Sequence, residues 1–514
     1  MNSWLVCLYL SALASWGLCG AAPVRAQEDP LSVRGVVSTA KHNNPTLKAA
    51  MLQYESASWD VFGKEALYDP VLLVDGSASQ LSTSNVSANS VRVNQVRRAD
   101  IGAQLSKHLL WGTDLSLRVS SYALRSEFSG TTTGGMTGAG ALPPNIASFL
   151  GVGSFGPVYA LVAKATLKQP LWRGRGRDVG EASLRASRLS QINQGHTRDR
   201  VGSELLRDVL TAYWELWYAD AAVAIQVQSL AVAKSQRDDA QARVDSGSLA
   251  PAEVLSFDTQ VATRDEDVLT ARTERERRAH ELARVIGTNE HEGVFGAVID
   301  EPLAEQSVHT FLRELVEQRA LSESAEIHER AASVELSRMQ QKTADDPKKP
   351  RLDLDSYVQT QGLGNKSVGD AANQFVGGDV ISAFVGLTYE APLRDRQRRA
   401  EAAKARLSTE VAEQQLREVR QRVLSEVRGA LDREAAGREK VALAERTSDI
   451  AERQLVAEQA RYASGSSTPL AVVEAEDKVR AAKLRLARAR ADLVESALII
   501  EHLTGELLDR YASL

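Results

Sequence analysis

Residues 241–257 read QARVDSGSLAPAEVLSF and residues 459–475 read QARYASGSSTPLAVVEA, nearly the same turn twice in one chain, 218 residues apart. Laid over each other, the two passages share 8 of 17 positions. The same offset pairs Arg188-Leu189-Ser190 with Arg406-Leu407-Ser408, Val261 with Val479, and Gly287 with Gly505. A constant offset over that distance marks an internal repeat, and a repeat constrains the fold more than any short motif does.

Proline placement says what is repeated. None occurs between Pro170 and Pro251, between Pro392 and Pro469, or after Pro469. These tracts are rich in Ala, Leu, Arg, Glu and Gln, all good helix formers. Val201, Leu205, Val209, Ala212, Leu216 and Val223 recur at spacings of three, four or seven, which makes one apolar seam on a polar rod. Residues 178–242 would make a helix roughly 95–100 Å long, which is coiled-coil material. Ser246-Gly247-Ser248 and Ser464-Gly465-Ser466 each follow such a run, and Pro251 and Pro469 stand four residues past the glycine. Glycine beyond a helix end and proline at the first helical position are the expected punctuation of a turn. Thr468 is placed to cap the returning helix. Each repeat therefore ends in a long helical hairpin.

Upstream of each hairpin the apolar period changes to two. Residues 351–361 (RLDLDSYVQTQ) set Leu352, Leu354 and Val358 against Asp353, Asp355 and Gln359, and residues 380–389 put Ile381, Ala383, Val385, Leu387 and Tyr389 on one face. About ten residues is the length of a tilted membrane strand. A loop containing Gly, Asn and Ser joins the two. In the first half Val71–Ser79, Ile101–Leu110, Leu115–Leu124 and Val158–Leu171 have strand character, with a tight turn at Trp111-Gly112-Thr113-Asp114 and Ser-, Thr-, Gly- and Asn-rich links at 80–98 and 125–156. The strands number two or four in the first half and two in the second, so four or six in all.

Composition excludes several functions. Charged residues are 25% of the chain and the net charge is −5, which leaves no basic footprint for nucleic acid. Residues 4–22 form an apolar stretch of signal-peptide length, with a small-residue cleavage site after Ala26. Trp16-Gly17-Leu18 is a poor lipobox for Cys19, although lipidation stays open. Both cysteines, Cys7 and Cys19, precede that site, which leaves the mature chain no thiol catalysis, cysteine–zinc site or disulfide. No later segment approaches 18 continuous apolar residues, so a span of the membrane would be made by strands. The eight histidines are scattered without an H-E-x-x-H pattern, and Gly174-x-Gly176 lacks a dinucleotide-fold context. Neither an enzyme nor a bound cofactor or metal is expected.

The order, spacing and duplication of these elements resemble the TolC-like outer-membrane efflux proteins. The residues that carry the resemblance are Asn44-Pro45, Gln169-Pro170-Leu171, TAYWELWYADAAVA at 211–224, and the two R-x-x-S-G tips. The resemblance covers essentially the whole chain after the leader. It implies a mainly α fold with a membrane β region, in which two tandem repeats of helix, strands and long coiled-coil hairpin form a trimeric β-barrel continuous with a periplasmic α-helical barrel. The parts are a signal peptide (1–26), an opening helix (27–70), first strands (71–170), a first hairpin (171–300), a second opening helix (301–350), second strands (351–392) and a second hairpin (393–514). The implied partners are two further copies in a homotrimer, a periplasmic adaptor (membrane fusion protein), an inner-membrane pump of RND or ABC type, and outer-membrane lipid. The family has two strands per half, so a first half with four would be a departure.

The resemblance also assigns residues. Arg243, Ser246, Gly247 and Ser248, with Arg461, Ser464, Gly465 and Ser466, would meet the adaptor; alternatively glycine and serine only make the turns. Relatives carry two aspartates after the second turn, which can ring the closed mouth. Here Ala471 and Glu474 stand in those places, so Glu474, with Glu476 beside it, is either a gate carboxylate favouring cations or a helix-start carboxylate. Arg173, Arg175, Arg394 and Arg396 follow the strand regions and either meet lipid headgroups or are solvated helix starts. Arg177, Arg398 and Arg399 extend the same clusters. Tyr213, Trp214, Trp217 and Tyr218 read as helix packing. The leading function is a passive outer-membrane exit duct for efflux or type I secretion, opened by untwisting of the second hairpin. The alternative is a periplasmic coiled-coil scaffold or adaptor-like protein without a pore.

Overall fold

The structure, a computed structural model, describes residues 31–82, 92–129, 153–247, 250–288, 312–365, 367–378 and 380–511. The leader, Ser248, most of 287–293 and the middles of the two Ser/Thr/Gly-rich links (83–91 and 130–152) lie outside them. The ends of both links, 80–82, 92–98, 125–129 and 153–156, are strand rather than loop because they extend the ladders of their neighbours. The repeat is visible as matched lengths. The opening helix of each half is two helices, Val33–Asn43 with Pro45–Glu65, and Arg313–Glu323 with Ala325–Asp345, each pair followed by a three-residue 3-10 turn and then a strand. Asn44 explains the first break. Its side chain accepts from the Thr46 and Leu47 amides at 2.8 and 3.1 Å, and Pro45 fills the first helical position. These matched elements lie 280 residues apart (Val33 to Arg313, Val71 to Arg351), whereas the returning helices start 218 apart (Pro251 to Pro469). The 62-residue difference lies in the first strand region, which settles the strand count.

Six strands form one antiparallel meander in chain order: β1 Val71–Ser82, β2 Arg92–His108, β3 Asp114–Ser129, β4 Gly153–Pro170, β5 Arg351–Gly364 and β6 Ile381–Glu390. β2, β3 and β4 run to 16–18 residues, well beyond the ten expected. The register makes the sheet two-faced. Leu105, Leu117, Leu167 and Val358 share one side with Leu72 and Val385, and Gln104, Arg118, Lys164 and Gln359 share the other with Asp75. The polar side is cross-linked, with Arg118 of β3 reaching Asp75 of β1 at 2.6 Å and Lys164 lying 4.0 Å over the Tyr357 ring. The apolar side is bare, with Val385 73% exposed.

The β5–β6 link is a helix, Val368–Gly377, rather than the loop its Gly, Asn and Ser content predicts. Ser367 caps it by accepting from the Asp370 amide at 3.2 Å. It lies against β5 at Gly362 and Gly364, where an added Cβ would strike the Ala371 and Ser367 carbonyls.

Two long hairpins complete the chain: Ala182–Asp245 with Pro251–Ile286, and Arg396–Ala463 with Pro469–Leu503. The four glycines paired by the 218-residue offset all have positive φ, +75° and +76° at Gly247 and Gly465, +79° and +77° at Gly287 and Gly505. The sequence match is thus a match of backbone conformation. The chain divides into two compact units. One holds Met1–Ala40, Ala212–Ser307 and Ala444–Ala491, the ends of both hairpins. Behind its tips Ala240, Val254 and Phe257 pack with Val244 and Val473. The other holds Lys41–Thr211, Val308–Leu443 and Asp492–Leu514, including the sheet; its core joins Ile327, Val423, Val427 and Ile500.

The most apolar 18-residue window of Ala182–Asp245 has a mean hydropathy of 1.2, enough for a membrane helix. Its aromatic content is spent on packing. Tyr213 and Trp214 are buried edge to face, and the Tyr213 hydroxyl donates to the Leu31 carbonyl at 2.9 Å. Glu215 and Asp220 of the same helix pair with Arg488 and Arg275 at 2.7 and 2.5 Å.

Candidate docking tips and gate

Both tips are closed by the arginine carbonyl that precedes them. In the first, Ser246 Oγ donates to Arg243 O at 2.9 Å and the Gly247 amide reaches Val244 O at 2.9 Å. In the second, Ser464 Oγ and Ser466 Oγ both donate to Arg461 O, at 2.9 and 3.0 Å. The Thr468 hydroxyl stands 3.4 Å from the Ala471 amide, a long cap for the returning helix. The serines therefore satisfy helix-end carbonyls, while Ser246, Gly247, Arg461, Ser464 and Gly465 are exposed. The Arg461 side chain extends from the surface and reaches Glu458 at 3.4 Å. A hydrogen bond from Ser467, helped by Arg461, holds the Glu458 carboxyl below the usual range.

The two gate candidates separate. Glu474 is exposed, and Glu476, two residues on, is buried. Glu476 accepts from the amide of Gln236, in the outbound helix of the first hairpin, and from Gln260, in its return helix, at 3.4 Å. Burial pushes its carboxyl up to about 7 against those hydrogen bonds and the nearby Arg264. Beside it Arg264, only 5% exposed, pairs with Asp267 at 2.8 Å and with Asp477, and Arg480 lies 3.3 Å from Asp267. Sequence reading did not single out this group. The one signal was Arg264 standing at helical spacing between Phe257 and Val268, on the buried face of the return helix.

The arginines after the strands also divide. Arg173 and Arg398 converge on Glu390 at 3.8 and 3.2 Å. Arg175, Arg394 and Arg396 are exposed and have no ion-pair partner among the described residues. Near them Trp172 packs edge to face on Tyr389 with centroids 6.1 Å apart, both more than half accessible or close to it, an amphipathic pair of the kind that sits at a membrane interface.

Residues 316–506 match the model of the outer membrane efflux protein family. The solved outer-membrane protein VceC of Vibrio cholerae superposes with a TM-score of 0.63 at 15% identity, over 92% of this chain and 96% of its own. The chain has the fold of an outer-membrane channel protein. CmeC of Campylobacter jejuni (TM-score 0.62, 13% identity, 95% of this chain and 90% of that one) and the open state of MtrE of Neisseria gonorrhoeae (0.62, 15%, 92% and 88%) are similar to it as well. No curated protein sequence matches. The family match falls on the second repeat, whereas the likeness of fold covers both.

Proposed function

We propose that the protein is the outer-membrane exit duct of a tripartite efflux or type I secretion system. It works without catalysis: three copies enclose one water-filled passage, a periplasmic adaptor meets the exposed tips, and an inner-membrane pump of RND or ABC type supplies the energy. The observation that carries this reading is the two-faced sheet. One side presents Leu, Val and Ile to a solvent that only a bilayer provides, and the other is lined by paired charges suited to water. Arg175, Arg394 and Arg396, without an ion-pair partner among the described residues and close in sequence to Trp172 and Tyr389, meet phospholipid headgroups.

Opening widens the periplasmic mouth by moving the second hairpin. Of the two gate carboxylates, exposed Glu474 is the one able to face the passage, and a threefold ring of it would favour cations. Single-channel conductance in a planar bilayer tests this, wild type beside Glu474→Ala. Stable cation-preferring openings that lose preference in the variant support duct and gate together. Openings unchanged by the substitution keep the duct and return Glu474 to a helix-start role. Recovery of the protein in the soluble periplasmic fraction would overturn the duct.

A further inference from the structure

We infer that the transmembrane barrel of this protein is built of eighteen strands, six from each of three chains, and is wide enough at the membrane for a pair of helices to pass side by side. The inference rests on the trimeric duct proposed above, and departs from the four strands per chain that the resemblance implies.

All six strands belong to one wall. The apolar side is continuous from Leu72 and Val74 of β1 through Ile101 of β2 to Val385 and Leu387 of β6, each of these five at least 63% exposed in the single chain. If β1 and β2 stood outside the barrel, Leu72, Val74 and Ile101 would face water, an unfavourable exposure of apolar surface. Asp75 of β1 is tied to Arg118 of β3 on the opposite side, so β1 shares the polar lining as well as the apolar surface.

The edges require a second copy. Among the described residues β1 and β6 are each paired on one side only, and not with each other. Edge amides and carbonyls left open in a bilayer have no water to bond, so both edges must be joined. An even strand number lets β6 of one copy meet β1 of the next in the antiparallel sense that runs through the sheet. At a strand spacing of about 4.8 Å and a tilt of about 40°, eighteen strands close at a backbone radius of about 18 Å and twelve at about 12 Å. With about 5 Å of side chain on the inner wall, the clear widths are about 26 and 14 Å. A helix is about 10–12 Å across, so the wider lumen admits two and the narrower one. The membrane wall is then not the step that selects cargo by size.

Disulfide trapping in full-length protein tests the closure, since no cysteine follows Cys19. Leu73→Cys, Ser77→Cys and Ser79→Cys on the polar side of β1 are combined singly with Ser382→Cys, Phe384→Cys, Gly386→Cys and Thr388→Cys of β6. A parallel set joins the same β6 positions to Ser116→Cys and Ser120→Cys of β3. The expected result is covalent dimers and trimers on non-reducing gels for at least one β1–β6 combination and for none with β3. Cross-links through β3 and not β1 would mean closure on twelve strands with the first two outside, and would overturn the inference while leaving the duct. No cross-link in any combination, from protein whose native mass is a trimer, overturns edge pairing through β1. A monomeric native mass would overturn the trimeric duct itself.

Discussion

The Arg243 guanidinium lies 4.7 Å over the ring of Tyr462, so the arginine closing one hairpin is held by the residue next to its counterpart, Arg461, in the other. The two tips are therefore one structure, and a change in one hairpin is felt by the turn of the other. Such a contact contributes about 0.5–1 kcal/mol at a partly exposed site. Tyr462→Ala is expected to raise amide exchange severalfold at residues 243–247 as well as at its own tip. Tyr462→Phe should leave exchange near wild type, because the phenol oxygen is buried without a hydrogen-bond partner among the described residues. Exchange mass spectrometry that finds the Phe variant as loose as Ala would assign the coupling to that hydroxyl.

Glu476 gives the hairpin pair an alkaline limb. Burial pushes its folded carboxyl up to about 7, above the ordinary 4.5, so the folded state holds the proton more tightly. The stability this contributes is present below pH 4.5 and is lost as pH rises through 7. Glu476→Gln, which keeps hydrogen bonds to Gln236 and Gln260, is expected to remove that slope and to melt higher than wild type at pH 8. Parallel melting curves of the two proteins from pH 5 to 8 would refute it.

His502 works in the opposite direction. Burial first, and the charge of Arg207 second, depress its pKa from 6.5 to about 4, and its Nδ1 is 2.7 Å from Ser203 Oγ. The folded state favours the neutral ring, so this stability is full above pH 6.5 and is lost as pH falls through 4, by on the order of 3 kcal/mol. His502→Gln should flatten melting temperature between pH 4 and 6.5, whatever its stability at pH 7.

Gly362 and Gly364 seat the Val368–Gly377 helix on β5. Gly362→Ala must push Ala371 and Phe375 away, at about 1–3 kcal/mol. Gly63→Ala, where an added Cβ meets nothing within 4 Å, is the control. Limited proteolysis should cut the 365–380 segment faster in the first variant alone.

Most of the architecture was legible because it is written in local chemistry. Gly247 and Gly465, with Pro251 and Pro469 behind them, mark the hairpins, since left-handed backbone and a missing N–H are properties of single residues. Period two at 351–389 marks strands, since alternation needs only neighbouring side chains. The number of strands was not legible in the same way. Leu115, Leu117 and Val119 of β3 alternate with Ser116, Arg118 and Ser120, but alternation marks a strand and not its sheet, and only the pairing of β2 and β3 with β1 and β4 shows that all belong to one sheet. The helix at Val368–Gly377 was hidden by a loop-like composition, because what holds it is the close approach that Gly362 and Gly364 allow.

The amino-acid sequence by itself determined the repeat, the two hairpins, their punctuation and the presence of membrane-length strands. Only the tertiary structure decided which of two neighbouring carboxylates is buried, Glu476 under Gln236 and Gln260 while Glu474 stays in solvent, and which tip residue Arg243 meets. The reason is the range of the forces. Periodicity and caps act within a few residues, whereas burial of one face of a helix is set by partners some 216 to 240 residues away along the chain.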